Sequence, residues 1–145
     1  MDMPPPILIV EDDELVRSFL ARALTGVAGD VEACGSGAEA TRAVTRSRFG
    51  AILLDGLLPD IHGVDLARQL AAHPNGADSG ICFVSGSLRR PMPLRAGVSA
   101  LPKPVRLREL TDGVRQLLEW HRSAPGNLAD RLAALDMLGA ELLVS

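Results

Sequence analysis

Three acidic residues, Glu11, Asp12 and Asp13, follow directly on an apolar run, and a fourth, Asp55, ends another, "AILLD". Ser85 closes a third such run, and Lys103 comes just after a fourth, between two prolines. Carboxylates gathered in one place repel one another, so such a cluster needs a cation or raised pKa values. Oxygen-only ligands favour Mg²⁺ or a similar hard cation, with Mn²⁺ able to stand in. A lysine reaches a phosphate as a point charge, and a serine hydroxyl donates to a phosphoryl oxygen. Taken together, the acid pair, Asp55, Ser85 and Lys103 describe a metal-assisted phosphoryl-acceptor site.

Simpler roles compete for the same residues. Asp12 or Asp13, just ahead of a helix, would satisfy orphan amides and complement the helix dipole. Asp55 has less use as a cap, because the glycine and apolar residues after it offer no partner. Lys103 is the only lysine, the other 14 of the 15 Lys and Arg residues being arginine, so a compact, mobile ammonium is singled out there.

These residues belong to an alternation of apolar runs and amphipathic stretches. "ILIV" (7 to 10) reads as a buried strand, followed by Val16, Phe19, Leu20, Ala23 and Leu24 on one helical face. "DVEAC" (30 to 34) is a short strand, and Ser36 with Glu39 makes a capping-box pair before the next helix. "AILLD" (51 to 55) is the third strand, with Leu66, Ala67, Leu70 and Ala71 marking the helix after it. "ICFVS" (81 to 85) and "VSAL" (98 to 101) are the fourth and fifth. Between them Pro91 and Pro93 oppose a continuous helix, leaving room for about one turn. Leu107, Leu110, Val114, Leu117 and Leu118 stripe a long final helix. "SAPGN" (123 to 127) then precedes an appended helix carrying Leu128, Leu132, Leu135 and Leu142.

Apolar strands alternating with helices predict an α/β fold: a doubly wound (βα)5 parallel sheet of five strands, covered on both faces and joined by right-handed crossovers. In such sheets the site lies outside the carboxyl ends of the strands, at the switch in strand order. Glu11, Asp12, Asp55, Ser85 and Lys103 all fall on that rim. The expected organisation is a tail over 1–6, one domain over 7–122 and a helical extension over 123–145.

Composition narrows the partners. The 145 residues suit one domain, and a net charge of −3 with scattered arginines lacks the basic footprint of a nucleic-acid binder. The N-terminus carries an acid and too short an apolar stretch for a signal or membrane span, so a cytoplasmic protein with no membrane partner is expected. Cys34 and Cys82 lack zinc or redox spacing and read as reduced thiols.

The fragments "ILIVEDDE", "LLDGLLPDIHG", "FVSGS" and "LPKPV" together resemble the receiver domain of bacterial two-component response regulators, over residues 7 to about 121. The resemblance implies strand order 2-1-3-4-5. It also implies that Asp55 accepts a phosphoryl group from a sensor histidine kinase, a histidine phosphotransfer protein or a small phosphodonor. By the same resemblance Asp12 and Asp55 are Mg²⁺ ligands, Glu11 acts through metal-bound water, and the backbone carbonyl of Leu57 is a further ligand. Ser85 and Lys103 would bind phosphoryl oxygens, and phosphorylation would switch contacts with a downstream protein target or a second copy in a homodimer. Pro59 and Gly63 match the turn after the acceptor, while Asp60, His62 and Asp65 read as solvated loop or helix-start residues.

The sequence departs from the family where the signal would leave. Ala100 stands three residues before the lysine, where a Tyr or Phe is usual. The segment from Ser85 to Lys103 is about four residues short, and Gly56 replaces an apolar side chain. With 42 residues after Lys103, the expectation is a stand-alone receiver, against the alternatives of a fragment of a longer multidomain regulator or hybrid kinase. Not an enzyme in its own right, it would at most catalyse its own phosphorylation and dephosphorylation. A haloacid-dehalogenase-like enzyme would want an Asp where Leu57 stands, and a flavodoxin-like binder would not place "EDDE" in its phosphate loop. An interaction module that works without phosphorylation is the remaining competitor.

Overall fold

The computed structural model describes residues 4–123 and 127–143. The first seven elements alternate as the sequence predicts: β1 (Ile7–Val10), α1 (Glu14–Leu24), β2 (Val31–Cys34), α2 (Gly37–Arg46), β3 (Ala51–Asp55), α3 (Gly63–Ala72) and β4 (Gly80–Ser85). β1, β2, β3 and β4 pair in parallel, and the strands sort their side chains by alternation. Ile7, Ile9, Ala51, Leu53 and Cys82 join the core beneath α1, whereas Leu8, Val10, Ile52, Leu54 and Phe83 join the one beneath α2 and α3.

After β4 the chain does something else. The sheet has six strands, not five: β5 (Met92–Arg95) pairs antiparallel with β6 (Val98–Pro102), and β6 lies parallel to β4. The full order is β2-β1-β3-β4-β6-β5, so the expected 2-1-3-4-5 order holds for the parallel strands and an extra edge strand is added. The single helical turn predicted here is replaced by a hairpin for a local reason. Its two-residue turn has Ala96 at φ 50° and Gly97 at φ 75°, the doubly left-handed geometry that twists with the flanking strands. Pro93 sits in the edge strand, where a missing N–H costs no ladder bond.

No helix therefore connects β4 to β6, and the α2/α3 side of those strands needs another cover. It comes from the appended helix. α4 (Leu107–Ser123) packs with α1 on one side, burying Leu110, Val114, Leu117 and Leu118. α5 (Leu128–Leu143) crosses to the other and buries Leu135, Leu138 and Leu142 with Leu66, Leu70, Phe83 and Ala100. Fully burying a leucine is worth about 1.5–3 kcal/mol, so three of them make α5 integral to the core. The break expected over 123–127 lies partly outside the described residues.

Arg131 anchors α5 at its N-terminal end. The residue is 1% exposed, and its guanidinium donates to the carbonyls of Ala77 (2.7 Å), Gly76 (3.1 Å), Ala96 (3.3 Å) and Ser79. The face of Trp120 lies 4.8 Å away. A buried charge is tolerated only when it is hydrogen-bonded, and four carbonyls from two segments meet that need. Both cysteines are buried and free, and burial pushes their thiols up to about 11. Among the described residues no helix is long and apolar enough to cross a membrane.

Candidate functional site at the strand ends

The apolar run of β1 ends on Glu11, whose amide donates to Cys34 O (3.0 Å) and whose carbonyl accepts from Arg17 Nη1 (2.8 Å). Next door, Asp13 is the N-cap of α1: its Oδ1 accepts from the amides of Leu15 (2.9 Å) and Val16 (3.1 Å). One of the two neighbouring aspartates thus performs the capping task, and Asp12 is left to the rim. Asp12, Glu11 and Asp55 place one carboxylate oxygen each within 4.8 Å of one another.

Lys103 enters this cluster from the end of β6, positioned by its amide, which donates to Ser85 O (2.9 Å). Its Nζ lies 2.7 Å from Glu11 Oε1 and 3.6 Å from Asp55 Oδ2. Burial pushes Glu11 up to about 7; Lys103 opposes the rise and Asp55 adds to it. Burial alone would lower the Lys103 ammonium, but the two carboxylates outweigh it and raise its pKa. Three carboxylates that converge within 4.8 Å of one another make an all-oxygen donor set that fits a hard divalent cation.

The loop after Asp55 is tightly drawn. Leu57 N donates to Asp55 Oδ1 (3.2 Å), and Gly63 N closes the loop onto Gly56 O (3.0 Å). A side chain at Gly63 would lie 2.4 Å from Asp55 O, so glycine is required by contact with the end of β3. Ser85 borders the loop from β4; its hydroxyl lies 2.8 Å from that of Ser87 and accepts from Ser87 N (3.2 Å).

The site residues read from the sequence therefore converge: Glu11, Asp12, Asp55 and Lys103 in one cluster, with Ser85 at the end of β4 and Leu57 in the loop beside it. Asp60 is an exposed loop residue, as the sequence suggests, and has a further role: its two carboxylate oxygens accept from Gly37 N (2.9 Å) and Ala38 N (3.0 Å), capping α2 from a distance, and these bonds hold its carboxyl below the usual range. His62 occupies the N-cap position of α3 without a side-chain bond, and Asp65 pairs with Arg68 in that helix. Sequence reasoning missed Ser87, Arg17 and Arg131; each acts through a contact between distant segments or a turn, which no periodicity marks.

The model of the response regulator receiver domain matches residues 7–115. The chain belongs to that family. This receiver domain is 36% identical over 131 residues to the response regulator MprA of Mycobacterium leprae (strain TN), an alignment covering 88% of this chain and 56% of that protein. It thus spans little more than half the length of such relatives. Among solved structures it is similar to a sensor protein from Polaromonas sp. JS666, at TM-score 0.70 and 29% identity, over 81% of this chain and 98% of that one. The receiver domain of a sensor histidine kinase from Pseudomonas aeruginosa PAO1, described with a magnesium ion coordinated in the active site cleft, shares the fold at TM-score 0.68 and 24% identity, over 80% of this chain and 98% of that one.

Proposed function

We propose that this receiver domain is a phosphoacceptor in two-component or phosphorelay signalling, modified on Asp55 by a histidine kinase or histidine phosphotransfer protein in the cytoplasm. The observation that carries the reading is the convergence of Asp55 with Lys103, Glu11 and Asp12. In the transfer an oxygen of the Asp55 carboxylate forms a bond to phosphorus as the N–P bond of the phosphohistidine breaks. The electron pair stays on the imidazole nitrogen, which takes its proton from solvent. Lys103 neutralises charge on the phosphoryl oxygens, and Ser85 exchanges Ser87 for one of them. Glu11, Asp12, Asp55 and the Leu57 carbonyl would hold Mg²⁺, or Mn²⁺ in its place. When bound, the ion supplies charge neutralisation between two anions that otherwise repel.

A partner has to bring its imidazole to this rim. Support for a protein donor comes from a groove of about 600 Å³ beside Lys103, lined by Leu15, Phe19, Pro104 and Val105. Leu15 is 83% and Phe19 41% exposed, although Phe19 belongs to the apolar stripe of α1. The acceptor chemistry is the same whether the domain works as a separate chain or as part of a longer regulator or hybrid kinase, and its output is a change in protein contacts.

The test is incubation with Mg²⁺ and acetyl phosphate or phosphoramidate, read by intact mass. A metal-dependent gain of one phosphoryl group is expected, absent in Asp55→Asn. No gain from any donor, with the protein folded, leaves a phosphorylation-independent interaction module as the reading to adopt.

A further inference from the structure

The helix that replaces the missing crossover ends beside the acceptor. A side chain placed on Gly56, the residue after Asp55, would lie 3.3 Å from Ser85 Oγ and 3.7 Å from Leu142 Cδ2 in the last turn of α5. One turn earlier, Gly139 packs against Val64, with its Cβ position 3.4 Å from Val64 Cγ1. Val64 follows Gly63, which is itself in contact with Asp55 O and Gly56. Two short paths therefore run from the acceptor to the same end of α5: one through Gly56 to Leu142, the other through Gly63 and Val64 to Gly139.

The two ends of α5 are held by different forces. Its first turns are fixed by Arg131, which is bound to four carbonyls and stacked on Trp120. Its last turns rest on the shape of the acceptor loop, through Gly139 and Leu142. Apolar contacts lose their value within a fraction of an ångström of separation, whereas the charged anchor has several bonds to lose before it yields. Small movements in the acceptor loop should therefore act on one end only.

Building on the acceptor reading above, we propose that the last two turns of α5, residues 136–143, read the state of Asp55: drawing Ser85 and residues 56–57 toward a phosphoryl group removes the seat of Leu142, and the helix end loosens about the Arg131 anchor. The buried Ala100 leaves no aromatic ring to carry the signal, and Gly56 leaves the space that Leu142 approaches. The output is then an intramolecular helix whose apolar face becomes available when the domain is phosphorylated. Coupling between two such sites is reciprocal, so weakening the seat of Leu142 also shifts the free-energy difference between the modified and unmodified states of Asp55.

The experiment is hydrogen–deuterium exchange of the full chain with and without Mg²⁺ and phosphoramidate, with intact mass taken on each sample. Amides of residues 137–142 should exchange roughly tenfold faster in the phosphorylated protein, within the range usual for such coupling. Those of residues 131–134 should change less than about twofold. Leu142→Ala should raise exchange at the helix end before any phosphoryl group is added and shrink the further increase to less than about threefold. A full phosphoryl gain with unchanged exchange in α5 overturns the proposal and leaves the acceptor reading intact. Absence of phosphoryl gain removes both, and the mass measurement tells the two failures apart.

Discussion

Up to β4, each strand is followed by a helix that covers the sheet it crosses; after β4 the chain turns back in a hairpin, and the cover arrives from beyond α4. Both halves end their strands on the same rim, with Glu11 and Asp55 from the first and Lys103 from the second. The difference teaches that the rim depends on the strands alone. A crossover helix can be exchanged for a hairpin without moving Lys103, because β6 keeps its parallel register with β4 and Lys103 N stays bonded to Ser85 O. What changes is the surface beside the rim, now built from the end of α5.

The sharpest way to break the comparison is at the borrowed cover. Arg131→Met keeps much of the side-chain volume but removes the donor shared by four carbonyls, two of them in buried bonds and one, Gly76 O, keeping only Ser79 N. Each carbonyl then bears part of its desolvation cost, and a loss of about 4 kcal/mol is expected. Urea denaturation followed by Trp120 fluorescence measures it. A loss below about 1 kcal/mol would mean that α5 is an ornament, and the second half would have to be stable uncovered.

The two halves also differ in how far they could be read from sequence. Up to β4, strand and helix follow from local period, and the rim residues follow from where apolar runs stop, so Glu11, Asp12, Asp55, Ser85 and Lys103 could all be placed. After β4, Pro91 and Pro93 correctly opposed a continuous helix, but the single turn expected there is a hairpin, which depends on Ala96 accepting φ 50°. Alanine gives no sign of that, since the αL region costs it about 1–2 kcal/mol. The Ala96 carbonyl bond from Arg131 helps to hold the turn, and Arg131 lies 35 residues further on. Likewise the apolar stripe of α5 declared a buried face without saying what it would be buried against. Asp60 was passed over for the same reason: the amides it caps are 22 and 23 residues away.

A smaller effect probes the first half. In the metal-free protein Glu11 is pushed up to about 7 from an ordinary value of 4.5. Below pH 4.5 the residue holds its proton whether folded or unfolded. Between pH 4.5 and 7 the unfolded chain has released that proton while the folded domain keeps it, so stability falls as pH rises through this window and levels off above it. The loss assignable to Glu11 is on the order of 3 kcal/mol. Glu11→Gln should therefore match the parent near pH 4.5 and exceed it by that order at pH 8, in urea melts with EDTA. Excess Mg²⁺ should flatten the parent's slope by favouring the carboxylate. A parent and variant that run parallel across the window would show that Lys103 alone compensates the buried charge.

The smallest effect separates two adjacent residues that the sequence could not tell apart. Asp13 accepts two amides of the first turn of α1, whereas Asp12 joins the carboxylate cluster. Removing a cap of this kind costs about 1 kcal/mol, so Asp13→Ala should lower stability by that amount and leave Mg²⁺ binding within about twofold of the parent. Asp12→Ala relieves repulsion in the cluster and should change stability by less than about 0.5 kcal/mol, yet weaken Mg²⁺ binding at least tenfold by calorimetric titration, since a carboxylate is a direct ligand of such a hard ion. The crossed pattern is the informative one. Equal losses of metal affinity in both variants would place the end of α1 inside the metal site, and the first half would then combine capping and chemistry in the same turn.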